Sequence, residues 1–388
     1  MSLFDDMKVA YADKSDRDLK RAYFLFKIIS NPFVTKILTF FMKVSIGIGL
    51  PIKGLIKATV YKQFCGGTTI KNSQETIEKL WQSKIGTILD FSAEGMEAEE
   101  DLNGAKNEII ATITKAKAEK SIPFAVFKPT AVAPFQLLEK ISAKSELNVA
   151  EKKVKEDLED RIKEICEATY NNKVPLFIDA EESWIQKAID EIVLKMMRKF
   201  NKEKAFIFNT LQMYRNDRLV YLKEIYADAQ NNNYYIGLKL VRGAYHEQEI
   251  ERAQKLDYNC PVYTQKEDTD KDYNLAQKFC VEHLDRISFC SGTHNEKSSE
   301  YLIDLFDKYN IEKNDERIIF SQLLGMSDHV SYNLAKKGYN IAKYVPYGPV
   351  KDVMPYLIRR AEENTSIAGQ MSRELSNILK EKKRRRKD

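Results

Sequence analysis

Eight short apolar runs separated by longer amphipathic ones constrain this chain more than any other feature. From residue 84 onward they read KIGTILDF (84–91), PFAVFKP (123–129), VPLFIDA (174–180), AFIFNTLQ (205–212), IGLKLVRGA (236–244), ISFCSGTH (287–294), RIIFSQLLG (317–325) and IAKYVPYG (341–348). Near-continuous apolar runs with polar tips suit strands of a parallel sheet buried on both faces. Helices fit between them. Residues 97–120 carry acid in the first turn and lysine in the last, matching the helix dipole. Residues 182–201 repeat apolar positions at helical spacing. Eight β/α units in succession predict an α/β fold, a closed (β/α)8 TIM-type barrel. Lys128, Asp179, Gln212, Arg242, His294, Gln322 and Tyr344 lie at or just past the C-terminal ends of the runs. That rim carries the active site in such barrels, and solubility alone does not account for so many unlike polar groups there. Residues 1–83 read as a helical N-terminal arm or cap, 84–379 as the barrel with a C-terminal helix, and 380–388 as a basic disordered tail.

Charge and cysteine content narrow the function. The formal net charge is +5, and residues 380–388 (KEKKRRRKD) account for all of it. The body is therefore near neutral, which argues against a general nucleic-acid-binding surface. Cys65, Cys166, Cys260, Cys280 and Cys290 show no CxxC spacing, so reduced thiols are expected, not a disulfide frame or a zinc site. His246, His283, His294 and His329 show no HExxH pairing, and no metal is expected. Asp5 and Asp6 argue against a secretory signal, and the acidic N-terminus is a poor transit peptide, although a mitochondrial location stays open. The segment Phe33–Val60 is hydrophobic, but its lysines leave Val44–Ile52 as the longest uncharged run, itself broken by Pro51 and two glycines and far short of the ~20 residues of a spanning helix. A helical arm packed on the body is the plain reading. The alternative is an interfacial segment that snorkels its lysines at a bilayer.

The stretch 341–364 sets two arginines side by side, Arg359 and Arg360, on the helix after the last strand. Adjacent guanidiniums repel, and their planar forks suit a carboxylate or phosphate. Glu363 shares their helix face, so an internal ion pair on a solvated helix is the competing reading. Upstream, LVRGAYHEQEIERA (240–253) turns from strand into helix with Arg242 and Gly243 at the turn, where anions are favoured. PVYTQK (261–266) offers Thr264 and Lys266 for phosphate or ribose, and GTHN (292–295) opens a further helix. No GxGxxG fingerprint occurs.

The ordered set FKPT, IDAEE, LVRGAY, PVYTQK, GTHN, SQLLGM and YVPYGPVKDVMPYLIRRAEEN resembles the proline dehydrogenase family over roughly residues 84 to 366. The resemblance implies a (β/α)8 barrel with non-covalent FAD that oxidises L-proline to Δ1-pyrroline-5-carboxylate by hydride transfer to flavin N5, the first step of proline catabolism. It is to stand-alone members, with pyrroline-5-carboxylate dehydrogenase as a separate partner and a membrane quinone as electron acceptor. Arg359, Arg360 and Lys128 would hold the substrate carboxylate, and Asp179 would pair with Lys128. Tyr344, Tyr245 and Tyr356 would wall the pocket, and a tyrosine at 344 favours proline over hydroxyproline. Gln212, Lys239, Val241, Arg242, Gly243, Thr264, Gln265, Lys266, Thr293, His294, Asn295 and Glu363 would hold FAD. Lys239 would stand near N5 as a cation without a fork, counted with Lys128 and Asp179 as catalytic. The expected location is cytoplasmic, with peripheral contact at the inner membrane face. The rivals are a flavoenzyme for hydroxyproline or another cyclic secondary amine, and a non-catalytic barrel scaffold bound to membrane or RNA.

Overall fold

The structure, a computed structural model, describes residues 3–31, 54, 57–92, 95–366 and 370–387; the side chains of 57–58, 361–366 and 370–372 are not part of that description. Most of the Phe33–Val60 segment and the side chain of Glu363 therefore lie outside the described residues.

Each of the eight apolar runs forms a strand. They are β1 (Gly86–Phe91), β2 (Phe124–Phe127), β3 (Leu176–Ile178), β4 (Ile207–Gln212), β5 (Ile236–Val241), β6 (Ile287–Gly292), β7 (Ile318–Leu323) and β8 (Ile341–Tyr347). They close into a barrel in sequence order. The helices used below are α1 (Met7–Ala10), α2 (Asp16–Ile29), α3 (Gln74–Gln82), α4 (Glu99–Ala118), α5 (Phe135–Ser142), α6 (Val149–Asn172), α7 (Ser183–Phe200), α8 (Arg218–Asn232), α9 (His246–Leu256), α10 (Lys266–Glu282), α11 (Glu296–Lys308), α12 (Asp328–Lys336), α13 (Val350–Ser366) and α14 (Gln370–Arg385). The sequence boundaries of α4 and α7 were expected within about two residues, as helix ends usually allow.

The chain divides into two compact units, Met1–Ser92 with Gln322–Asp388, and Ala93–Ser321. This differs from the division expected at residue 83: the N-terminal helices group with the first and last strands. In the Ala93–Ser321 unit the strands pair in parallel register, with Asn209 beside Ile178, Thr210 beside Lys239, and Lys239 beside Cys290. Asn209 donates to Asp190 of α7 (3.0 Å), so it faces outward. Side chains alternate along a strand, so Thr210 faces inward, and its register partners Lys239 and Cys290 share its level. Phe124, Phe177 and Phe208 fill the layer below, with Phe124 stacked on Phe177 at 4.3 Å between ring centroids and edge-on to Phe208 at 5.2 Å.

The other unit pairs β1 with β8, from Gly86 beside Ala342 to Phe91 beside Tyr347. Its core joins α1, α2, α13 and α14 through residues such as Met7, Leu19, Phe26, Met354, Leu357 and Ile378. Lys343 of β8 is wholly buried and points outward to Asp328 at the start of α12 (2.9 Å). It also donates to the carbonyls of Leu323 (3.4 Å) and Met326. Lys14 meets the second oxygen of Asp328 (3.4 Å) and Asp13 (3.2 Å). Burial pushes the Lys343 ammonium below its usual range against the pull of Asp328. Burial would raise the Asp328 carboxyl, but Lys14 and Lys343 outweigh it and hold it well below the carboxylate range.

The basic C-terminus is not a free tail through Arg385. Lys380–Arg385 continue α14. Glu381, fully buried, accepts from Arg384 (2.8 Å) and Arg385 (2.7 Å). Arg385 also reaches Asp16 (2.8 Å) and the carbonyls of Tyr11 and Lys14 (2.9 Å each). One buried acid and three acceptors on the N-terminal segment neutralise charge that composition alone assigns to solvent.

Candidate active site

In the Ala93–Ser321 unit, strand ends deliver the polar groups to one level. Lys128 and Asp179 each follow the last paired residue of their strand, Phe127 and Ile178, and the Asp179 N–H donates to the Phe127 carbonyl (3.0 Å). Asp179, largely buried, forms an ion pair with Lys239, which is likewise buried. The Thr210 hydroxyl lies between them, donating to the Ile178 carbonyl (2.9 Å) and standing 3.5 Å from Asp179. The Lys239 ammonium sits 5.5 Å above the Phe177 ring, which gives the cation a π face as well as a carboxylate. Burial pushes the neighbouring Cys290 thiol up to about 12, with Lys239 opposing, so that thiol stays protonated at neutral pH.

Asp179 was expected to pair with Lys128; its ion pair with Lys239 is a contact that the sequence did not suggest. Lys128 lies in the field of Glu181, the next acid of the DAEE motif. Glu181 accepts from the Thr130 N–H (2.8 Å) and hydroxyl (2.7 Å). Burial raises its carboxyl to about 7, against the opposing pull of Lys128 and Thr130. Sequence reasoning assigned it no role, although its motif was in view.

A second cluster gathers about Asp270 of α10. Arg242, one residue past β5, donates to Asp270 (2.6 Å), to the Thr293 hydroxyl and to Ser298 (2.9 Å). Its guanidinium lies 4.4 Å from the Tyr273 ring centroid. Lys266 pairs with Asp270 (2.5 Å), and the Asn295 amide stands 3.4 Å from it. Asn295 caps α11 by accepting from the Ser298 N–H (3.2 Å), and its own N–H donates to Thr293 (3.0 Å). Arg242, Lys266, Thr293 and Asn295 are thus brought together. Asp270 was missed, and its spacing four residues after Lys266 on one helix is the signal that could have found it.

Gln212 ends β4 and bridges two loops: its amide donates to the Glu181 carbonyl (2.7 Å) and its oxygen accepts from the Ala244 N–H (3.1 Å). Gly243 has φ 144°, and a Cβ there would sit 2.5 Å from the Tyr214 ring, so only glycine fits. Val241 ends β5 and its carbonyl accepts from the Met213 N–H (2.8 Å). Thr264 and Gln265 are exposed before α10, and His294 is half-buried between Thr293 and Asn295. Tyr245 is buried where α9 begins.

In the other unit, Tyr344 lies on the opposite face of β8 from Lys343, and its carbonyl accepts from the Leu324 N–H (2.8 Å). Tyr356 and Arg360 are buried on α13, with the Arg360 guanidinium 5.3 Å from the Tyr356 ring centroid. Arg359 is half-buried. Tyr356 and Arg360 sit four residues apart, so one helix face carries an aromatic wall and a cation together.

The family model for proline dehydrogenase matches residues 73–373. The chain belongs to the proline dehydrogenase family. Among its relatives, proline dehydrogenase 1, mitochondrial, of Dictyostelium discoideum is 33% identical, with 98% of this chain and 74% of the relative covered. The carbapenem antibiotics biosynthesis protein CarD of Pectobacterium carotovorum subsp. carotovorum is 32% identical, with 86% of each covered. A solved structure of proline utilization A (PutA) from Bdellovibrio bacteriovorus, inactivated by N-propargylglycine, superposes with TM-score 0.73 at 21% identity. It covers 97% of this chain, which spans 42% of that longer chain, and it supports the barrel fold. As a proline dehydrogenase family member the chain is an oxidoreductase of proline catabolism. Among the described residues no helix is long and apolar enough to cross a membrane, and no group of three or more His, Cys, Asp or Glu could hold a metal ion.

Proposed function

We propose that this chain oxidises L-proline to Δ1-pyrroline-5-carboxylate with non-covalent FAD and passes the electrons to a quinone. The observation that carries the reading is the family match over residues 73–373, which takes in Lys128, Asp179, Lys239, Arg359 and Arg360 alike. The donor chemistry fits the cofactor: Arg242 and Lys266 are cations suited to a diphosphate, Gln212 and Thr293 offer polar edges, and Gly243 keeps the β5 turn free of a side chain. Bound there, the flavin supplies a hydride acceptor.

The protein supplies binding and orientation. Lys128, Arg359 and Arg360 are assigned to the substrate carboxylate, and Tyr344, Tyr245 and Tyr356 to the ring. Lys239 is held in place in a buried setting by its ion pair with Asp179. Its task is a fixed positive field for the cofactor, which a free lysine chain would supply less well. Glu363 is assigned to the cofactor on the family motif. The product leaves for a separate pyrroline-5-carboxylate dehydrogenase, and a peripheral position at a membrane suits quinone as acceptor. The relative named for carbapenem biosynthesis favours a second reading, in which the substrate is another cyclic secondary amine.

The test is an absorbance spectrum of the purified protein, followed by anaerobic L-proline. A yellow protein that bleaches with proline, and much less with hydroxyproline, supports the reading. A yellow protein that stays oxidised with proline but bleaches with another cyclic amine moves the substrate to the second reading. A colourless protein that cannot take up FAD overturns both.

A further inference from the structure

We infer that Glu181 is a positioning residue for Lys128: its carboxylate fixes the segment after β2 against the ends of β3 and β4, and so sets where the Lys128 ammonium stands. The inference rests on the proposed role of Lys128 at the substrate carboxylate.

The bonds of Glu181, which follows β3, reach the segment after β2, helix α7 and the end of β4. Its two carboxylate oxygens take the two donors of Thr130, two residues past Lys128, at 2.8 and 2.7 Å. Its own N–H donates to Gln186 of α7 (2.9 Å). Its carbonyl accepts from Gln212 at the end of β4 (2.7 Å), and Gln212 in turn holds the Ala244 N–H (3.1 Å). One residue therefore ties the loops after β2, β3 and β4 together and, through Gln212, the loop after β5.

The chemistry of the side chain is the second part of the argument. Glu181 is only 4% exposed, and burying a carboxylate costs free energy that an amide or an apolar contact would not. Holding a loop shut needs no such group. Above about pH 7, where the Glu181 carboxyl is ionised, it does two things that a neutral residue does not: it presents two acceptors in a fixed plane to Thr130, and it places an anion in the field of Lys128. Pro129 stands between Lys128 and Thr130 with its backbone torsion fixed by the ring, so pinning Thr130 pins the Lys128 backbone. A flexible lysine that must meet a carboxylate of fixed position gains most from an anchored base.

The experiment is a double-mutant cycle in the full chain, with KM for L-proline and kcat measured beside thermal stability. Lys128→Met is made first. If it leaves KM unchanged, the substrate role of Lys128 fails, and the inference fails with it. If it raises KM, Glu181→Ala is expected to raise KM about tenfold with kcat within about twofold, on the scale of a lost hydrogen bond to a charged group. In the Lys128→Met background Glu181→Ala should then change KM by less than about twofold. Glu181→Gln keeps the shape but turns an NH2 donor toward one of the two Thr130 donors and removes the anion, so it should keep much of the KM rise of Glu181→Ala, and a wild-type KM in it would overturn the need for the carboxylate. An unchanged KM in Glu181→Ala, or an effect that multiplies independently with Lys128→Met, overturns the inference while the role of Lys128 stands. If Glu181→Ala does not fold, Thr130→Val removes one bond alone and carries the same cycle with the same two outcomes.

Discussion

Replacing Asp328 by Asn should unfold the unit built on β1 and β8 more readily than any surface change, and the size of the loss can be worked out. Lys343 is wholly buried, and Asp328 meets its ammonium at 2.9 Å. Its remaining bonds run to two backbone carbonyls, which carry no net charge. Lys14 also loses a partner but keeps Asp13 at 3.2 Å and is partly exposed, so most of the penalty falls on Lys343. Removing one member of a buried pair costs about 3–5 kcal/mol. The protein can escape by deprotonating Lys343, which caps the loss. From an ordinary lysine pKa of about 10.4, that costs about 4.6 kcal/mol at pH 7 and about 1.9 kcal/mol at pH 9, at about 1.36 kcal/mol per unit. The destabilisation should therefore shrink as pH rises. The wild-type pair behaves oppositely toward acid. The folded Asp328 carboxyl titrates below its unfolded value, so its contribution is full above about pH 5 and is lost as pH falls. Denaturant unfolding at pH 7 and pH 9 measures this, with an unchanged slope confirming a stability effect. Trp81 and Trp184 are the two tryptophans. A Trp184→Phe background leaves Trp81 of α3 to report on the unit that holds the pair. A loss below about 1 kcal/mol at pH 7, or the same loss at both pH values, would refute the reasoning. Adding Lys343→Met to Asp328→Asn should recover much of the stability, because the stranded charge is gone.

Two further outcomes follow from the site. Arg359→Met or Arg360→Met should raise the proline KM by about 10- to 150-fold, matching about 1.5–3 kcal/mol for a charge-assisted contact, and unchanged KM in both would sink the carboxylate assignment. Gly243→Ala forces a Cβ to 2.5 Å from the Tyr214 ring at a backbone angle that alanine rarely adopts. At about 1–3 kcal/mol of strain, the purified protein should carry less flavin, and a wild-type flavin-to-protein ratio would contradict the role of that turn.

How much was legible depended on whether the controlling interaction is local. The strands were readable because burial on both faces writes itself as an apolar run, as in IGLKLV of β5. The polar rim was readable because a run's last residue ends the strand. Pairing was not, since it follows from register. Asp179 meets Lys239 across the width of β4, and only the alignment of Thr210 with Lys239 reveals that they share a level. Asp270 went unseen because its partners Arg242 and Asn295 come from other loops. The basic end misled for a related reason: Glu381 is one acid among many cations in sequence, but α14 aims Arg384 and Arg385 at it and brings Arg385 to Asp16. Charge counts miss such a neutralisation because it depends on which residues a helix sets on one face.

The split of the chain has a consequence for its synthesis. Ala93–Ser321 is continuous and can begin to organise while the ribosome is still working. The unit holding β1 is made of the first and last parts of the chain, so Gly86–Phe91 leaves the ribosome long before Ile341–Tyr347 exists to pair with it. For that interval β1 is an apolar strand with an open edge, the form most prone to pairing with another chain. The same holds for the helices whose core residues await α13 and α14. Removing the C-terminal helices would thus damage the earliest part of the chain as much as the latest, leaving the N-terminal segment without the partner that completes its core.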